Sequence, residues 1–291
     1  MKRPQRATSI TEMDALAASI FAGDAVQQGL KLQLRPSDVV ITPYGKSGTT
    51  WTQQIVHTLR TGGDMDFDDI SRVVPWIEVS ALLGIDLDAE QRAHPRAFKS
   101  HLSWDLVPKG GRYINVVRDP CDAAVSMFHF QEGWFLEPGS IEIDAFVEHS
   151  LSHRRYFQHL ISWWPRRNDP DVLFLSYEKM LEDPGAVIQR IAGFIDVDLD
   201  ETLLTKTLSH SSFDFMLAHK DRFDDALLRA YTETQGGLPP GSDSAKVRAG
   251  ATGSGRELSD ETRARVQAVW AAEVTERYGF KDYQSMMAEL R

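Results

Sequence analysis

The chain has 291 residues, 42% of them hydrophobic and 25% charged, with a formal net charge of −10. That is enough chain and apolar content for one large α/β domain or two small ones with a sizeable core. The acidic balance argues against a general nucleic-acid binder, which needs a basic surface, but leaves room for a local basic cluster around a small anion.

Residues 1–37 read as a helical lead-in, with Leu16, Ile20 and Phe21 as core contacts. The start, Met1 to Arg6, is basic but leads into no apolar signal core, and no apolar run approaches the ~20 residues of a membrane helix. The expectation is a cytoplasmic protein without stable membrane insertion. Asp38 to Thr42 is short, β-branched and bounded by polar residues, the pattern of a buried strand. A loop over Pro43 to Gly48 follows, then a helix from Thr49 with Trp51, Ile55 and Leu59 on one face. Further strands are predicted at Ala97–Ser100, Tyr113–Val117 and Val172–Leu175. Asp119-Pro120 starts a helix with a carboxylate cap and proline at the first helical position. One long amphipathic helix is expected from about Asp144 to Trp164. Another starts near Asp183-Pro184 and carries Ile188, Ile191 and Phe194; a last one starts near Ser259 and carries Val266, Val269, Trp270 and Val274. Strands alternating with helices predict one α/β domain with a central, mainly parallel sheet flanked by helices. Residues 232–245 form a Gly/Pro/Ser-rich break, and residues 232–255 are expected to be a mobile loop over a site. The single cysteine, Cys121, allows neither an intramolecular disulfide nor a Cys-rich zinc site.

The strongest chemical signal is Tyr44-Gly45-Lys46-Ser47-Gly48-Thr49-Thr50-Trp51, between a strand and a helix. Glycine lets backbone N–H groups approach an anion closely. The helix N-terminus adds free N–H groups and a positive dipole end. Lys46 adds a full charge, and Ser47, Thr49 and Thr50 add hydroxyls. This is a P-loop-like anion cradle but not a GxxxxGK[ST] loop, because the first glycine would fall on Val40. An isolated Gly-Lys-Ser turn with its lysine in solvent is the plain alternative; the strand–loop–helix setting weighs against it.

The segment resembles the 5'-phosphosulfate loop of the cytosolic-type sulfotransferases that use 3'-phosphoadenosine-5'-phosphosulfate (PAPS), whose usual form is Tyr-Pro-Lys-Ser-Gly-Thr-Thr-Trp. It matches from Lys46 through Trp51 and has Gly45 where proline is usual. Phe98-Lys99-Ser100-His101-Leu102 resembles the family's Lys-Thr-His-Leu segment. Tyr113 to Pro120, followed by Asp122-Ala123-Ala124-Val125-Ser126, resembles its 3'-phosphate segment. Weaker matches follow at Tyr177-Glu178-Lys179-Met180, at Ser211-Ser212-Phe213 with Met216, and at Arg248-Ala249-Gly250. The last keeps the arginine and glycines of a late family motif but lacks its lysine and tryptophan.

The resemblance implies sulfuryl transfer from PAPS to a hydroxyl or amine of a small or lipidic acceptor, releasing 3'-phosphoadenosine-5'-phosphate (PAP), with no metal. It implies His101 as general base, Lys46 on the leaving oxygen and Lys99 on the sulfuryl group. Nucleotide contacts would come from Lys46, Ser47, Gly48, Thr49, Thr50, Trp51, Arg118, Ser126, Tyr177, Ser212, Phe213, Arg248 and Gly250. By residue type alone, His101 is also readable as a surface histidine, one of nine in the chain. Arg118 is equally readable as an ion-pair partner of Asp119 or Asp122, and Trp51 as core. Trp76, Phe128, Phe130, Trp134 and Phe135 are candidates for an apolar acceptor pocket. An ATP/magnesium phosphotransferase and a non-catalytic nucleotide-binding scaffold are the rival functions; the first would need a full Walker loop and a magnesium carboxylate. The family's Lys-x-x-x-Thr-Val dimer segment is not found, which leaves a monomer or a homodimer through another face.

Overall fold

The computed structural model describes residues 5–21, 23–248 and 250–290; residues 1–4 of the basic start and Ala249 of the late glycine segment lie outside them. The lead-in folds as α1 (Ile10–Ile20) and α2 (Ala25–Gly29). Met13 and Ile20 of α1 are buried, and Leu16 and Phe21 pack partly buried against the same core. β1 (Val39–Ile41) runs through the phosphate loop into α3 (Thr49–Thr61), followed by α4 (Ile70–Val73) and β2 (Ala97–Lys99). β3 (Arg112–Val117) leads into α5 (Pro120–Trp134), where the Asp119 carboxylate accepts from the N–H groups of Cys121 and Asp122, as the Asp-Pro pair predicts.

The single helix expected over 144–164 is two: α6 (Ile143–Ser152) and α7 (Arg155–Trp163). Arg154 breaks it with a left-handed φ of 55°. Two causes converge there. The Ser150 and Ser152 hydroxyls bond back onto the Phe146 and His149 carbonyls, which weakens a helix end. Arg154 also reaches out of the helix line to Glu273 at 3.3 Å. β4 (Val172–Ser176) then continues into α8 (Tyr177–Glu182), α9 (Pro184–Phe194), α10 (Glu201–His210), α11 (Phe213–Ala218) and α12 (Ala226–Thr234). α13 (Asp260–Trp270) is capped by Ser259 and passes through a π-turn at Ala271–Thr275 into α14 (Glu276–Tyr278). The chain adds α15 (Tyr283–Met287) beyond the helix expected to be last.

All strand pairings are parallel, in the order β2-β1-β3-β4. Side chains alternate between two cores. Val40, Phe98, Tyr113 and Phe174 face one, and Val39, Ile41, Ile114 and Leu173 the other. From β1 the chain goes to one side for β2 and to the other for β3. The carboxyl ends of β1 and β3 therefore flank a topological switch point, where open α/β sheets bind ligands.

The Gly/Pro/Ser-rich segment begins inside α12. Beyond it, Leu238, Ser242 and Ser244 are buried. The Ser244 N–H donates to Asp224 at 3.0 Å and the Asp243 N–H to the Gly133 carbonyl at 3.1 Å.

The start of β1 is fixed by a buried ion pair. Arg96, just before β2, grips both oxygens of Asp38, just before β1, and the two side chains are 2% and 1% exposed. Asp38 also accepts from the Arg35 N–H at 2.8 Å. Removing one partner strands the other charge in the interior. Asp38→Ala should cost about 3–5 kcal/mol in urea unfolding, and an Asp38→Leu/Arg96→Met double variant should recover much of it; equal losses in both would show that the charge pairing is not what matters.

Candidate active site

One cavity of about 760 Å³ opens at the carboxyl ends of the strands. Every candidate contact named from the sequence lines it except Ser47: Lys46, Gly48, Thr49, Thr50, Trp51, Lys99, His101, Arg118, Ser126, Tyr177, Ser212, Phe213, Arg248 and Gly250. Ser47 is fully buried and its N–H donates to the Tyr44 carbonyl at 3.2 Å.

The loop geometry explains its glycine and lysine. Lys46 and Gly48 both take positive φ, 67° and 95°, and a Cβ on Gly48 would press on the Tyr177 ring at 3.0 Å. This turn presents the start of α3. The first helical hydrogen bond is Thr52 N–H to the Gly48 carbonyl at 3.0 Å, so the preceding N–H groups are free for an anion. The Thr49 hydroxyl is buried without a partner.

Arg118 closes the other side. It does not pair with Asp119 or Asp122. Its Nη1 donates to the Lys46 carbonyl at 3.1 Å and its Nη2 to the Ala251 carbonyl at 3.0 Å. Its Nε is buried and unpartnered, and the guanidinium lies 4.4 Å from the centre of the Tyr177 ring. The nearby aspartates serve the backbone instead. Asp119 caps α5, and Asp122 accepts from the N–H groups of Gly253 and Gly255, each at 2.7 Å. That clamp shapes the late glycine segment. Gly250, at φ 58°, packs where a Cβ would lie 2.4 Å from the Phe213 ring. Trp51 does both things foreseen for it, lining the cavity and packing on the second core cluster.

The far end holds His101, Lys99 and aromatic walls. His101 Nδ1 lies 2.8 Å from the Pro43 carbonyl, and a carbonyl only accepts. Nδ1 therefore carries the proton and Nε2 keeps its lone pair. Burial, then Lys99, pulls the His101 pKa down to about 3. Lys99 stands 3.6 Å over the Trp76 ring, and burial, only partly offset by Asp225, lowers its pKa to about 7. Lys46 stands 4.7 Å from the Phe130 ring, and burial, then Lys246, brings it to about 7 as well. Among the described residues no group of three or more His, Cys, Asp or Glu is placed to hold a metal.

Trp76, Phe130, Trp134 and Phe135 line this end. Phe128 does not; it is buried against Phe146 in the core. Sequence reasoning missed Asp225 and Lys246, which also line the cavity, and Met13, Ala17 and Phe21, with which α1 forms part of the wall. Asp225 follows another aspartate in an ordinary pre-helix position, and Lys246 sits in a stretch read only for its glycines and prolines. Neither carried a local signal.

The Sulfotransferase domain family matches residues 36–227. The chain is 34% identical over 202 residues to mouse sulfotransferase 1B1, covering 64% of this chain and 67% of that one. It is 35% identical over 198 residues to dog sulfotransferase 1B1, covering 62% and 67%. Its fold matches a retinol dehydratase solved with retinol and PAP, with a TM-score of 0.70 at 22% identity over 94% of this chain and 96% of that one. Mouse sulfotransferase SULT7A1, solved with PAP, matches at a TM-score of 0.68 and 20% identity, over 89% and 92%. The chain belongs to the sulfotransferase domain family.

The Asp122 clamp is testable. Asp122→Ala removes two hydrogen bonds to a carboxylate, worth about 1.5–3 kcal/mol each. Amide exchange at Gly253 and Gly255 should speed up by about 10–100-fold while β3 amides stay protected. Unchanged exchange at the two glycines would show that something else holds the segment.

Proposed function

We propose that this sulfotransferase moves a sulfuryl group from PAPS to a hydroxyl or amine of a small or lipidic acceptor, with His101 as general base. The observation that carries the reading is one continuous cavity. It has free helix N–H groups, Lys46 and Arg118 at one end, and an unprotonated His101 Nε2 among aromatic walls at the other. The orphaned donors, Thr49 Oγ1 and Arg118 Nε, fit an anionic nucleotide.

PAPS supplies the sulfuryl group: its sulfur–oxygen bond to the 5'-phosphate breaks as a bond from sulfur to the acceptor forms. His101 Nε2 takes the acceptor's proton. The Pro43 carbonyl fixes the tautomer that leaves Nε2 able to do so. Lys46 and the α3 N–H groups face the oxygen on which negative charge develops, in a desolvated setting where such contacts are strong. Arg118 and Ser126 hold the 3'-phosphate, helped by Arg248 and the Gly250 N–H. Trp51, Tyr177, Ser212 and Phe213 line the adenosine. Residues 246–248 and 250–255 cover this end, in a segment that moves for exchange of nucleotide. Phe21, Trp76, Phe130, Trp134 and Phe135 support an acceptor with an apolar body. Among the described residues no helix is long and apolar enough to cross a membrane, consistent with work on dissolved or surface-held acceptors.

The roles separate by kinetics. With PAPS and a panel of phenols and alcohols, His101→Ala should lower kcat by about 10²–10⁴ while PAP still binds normally. Lys46→Ala should lower kcat by about 10²–10³, more than it weakens PAP. A His101 variant with full turnover would remove it as base.

The pH dependence has a defined sign. An anion favours the charged lysines, so binding raises the pKa of Lys46 and Lys99 from about 7 and takes up protons. PAPS affinity should be highest below pH 7 and fall as pH rises through it, by up to about tenfold per unit for each lysine. His101, at about 3, stays unprotonated throughout. Titrations in buffers of different ionisation enthalpy read the proton uptake directly; an affinity flat from pH 6 to 9 would contradict the account.

A further inference from the structure

We propose that Lys246 is a third lysine binding the sulfonate of the donor, and that Asp225 is a positioning residue, an internal counter-ion that holds Lys246 and Lys99 in place until the donor arrives. This rests on the reading of the cavity as a PAPS site.

Asp225 is placed as if for this purpose. It precedes α12 in a left-handed conformation, φ 49°, which a short polar side chain such as aspartate tolerates. It is the N-cap residue but its side chain does not cap. Asp69 takes that task, accepting from the Leu227 N–H at 2.9 Å. The Asp225 carboxylate instead points into the cavity, 2% exposed, with no hydrogen bond from a backbone amide or hydroxyl. Its partners are ammonium groups. Lys99 Nζ lies 3.7 Å from Oδ1, and Lys246 Nζ contacts Oδ2. Burial alone would raise its pKa, but Lys246 and Lys99 more than offset this and hold it well below the carboxylate range.

Lys246 stands at the centre of the cluster. Its side chain is 9% exposed. It acts on Lys46 more strongly than Arg118 or Lys99 does, and it also acts on Lys99 and His101. Its ammonium shares the Asp225 carboxylate with Lys99 and lines the same cavity as Lys46 and His101, between which the sulfonate must lie for an acceptor at His101 to reach it. Among the described residues that line the cavity, Lys46, Lys99, Lys246 and Arg118 are set against one buried carboxylate, Asp225, while buried Glu78 and Asp69 act on Lys99 from outside the lining. Burial answers that excess by drawing Lys46 and Lys99 toward the neutral form, and an anion restores their charge. Asp225 satisfies part of the excess in the free protein. A sulfonate offers three oxygens to the same lysines and releases them from Asp225.

The test compares PAPS and PAP, which differ by the sulfonate alone, in calorimetric titrations that need no acceptor. Lys246→Ala should weaken PAPS by about tenfold or more while PAP changes by less than about threefold. Lys246→Arg, which keeps the charge, should restore most of the PAPS affinity. In Asp225→Asn, Lys99 loses the strongest of its counter-charges and keeps the weaker Glu78 and Asp69, so the loss of PAPS affinity with rising pH should begin about one unit lower than in the parent. Equal effects of Lys246→Ala on PAPS and PAP, or none on either, would overturn the proposal while leaving the nucleotide site intact. A parent protein that binds neither would overturn the donor assignment and this proposal with it.

Discussion

Positive charge held in a desolvated cavity is the constraint on which the rest of this structure depends. Lys46, Lys99, Lys246 and Arg118 converge where three strands end, and Asp225 is the buried carboxylate that pairs with two of them. Burial draws two of the lysines down to about pKa 7, so the site is poised to recharge when an anion enters. Neighbouring features serve that arrangement. The Pro43 carbonyl fixes the histidine tautomer, Asp69 frees Asp225 from capping, and Arg118 ties the phosphate loop to the late glycine segment through two carbonyls.

The sheet makes this convergence possible at low cost. Strand order β2-β1-β3-β4 brings the ends of β1, β2 and β3 side by side, so Lys46, His101 and Arg118 meet although tens of residues separate them in the chain. Each needs only to follow a strand. The Arg96–Asp38 pair fixes the relative start of β1 and β2 from below, and Asn115 Nδ2, at 2.9 Å from the Thr42 carbonyl, ties β1 to β3 just under the loop.

What could be read from the sequence follows the same logic. The four strands, the phosphate loop and the strand-end residues were legible because their signals are local: a β-branched run, then glycine, lysine and a helix start. Asp225, Lys246 and the α1 wall were not, because each reaches the cavity through a long return of the chain. Ser47 belongs to the motif by type but turns its side chain to the interior. Phe128 belongs to an aromatic cluster whose other members face the cavity, but two residues from Phe130 it lies on another face of α5. The break between α6 and α7 depends on Arg154 finding Glu273, more than a hundred residues on.

The central claim is that the cavity takes a nucleotide with a 3'-phosphate. The direct measurement is calorimetric titration of the full chain with PAP, AMP and ATP–magnesium. The account predicts tight binding of PAP, with AMP weaker by about tenfold or more for loss of the charged contacts to the 3'-phosphate, and no preference for ATP–magnesium. AMP binding as tightly as PAP, or ATP–magnesium binding more tightly, would contradict it.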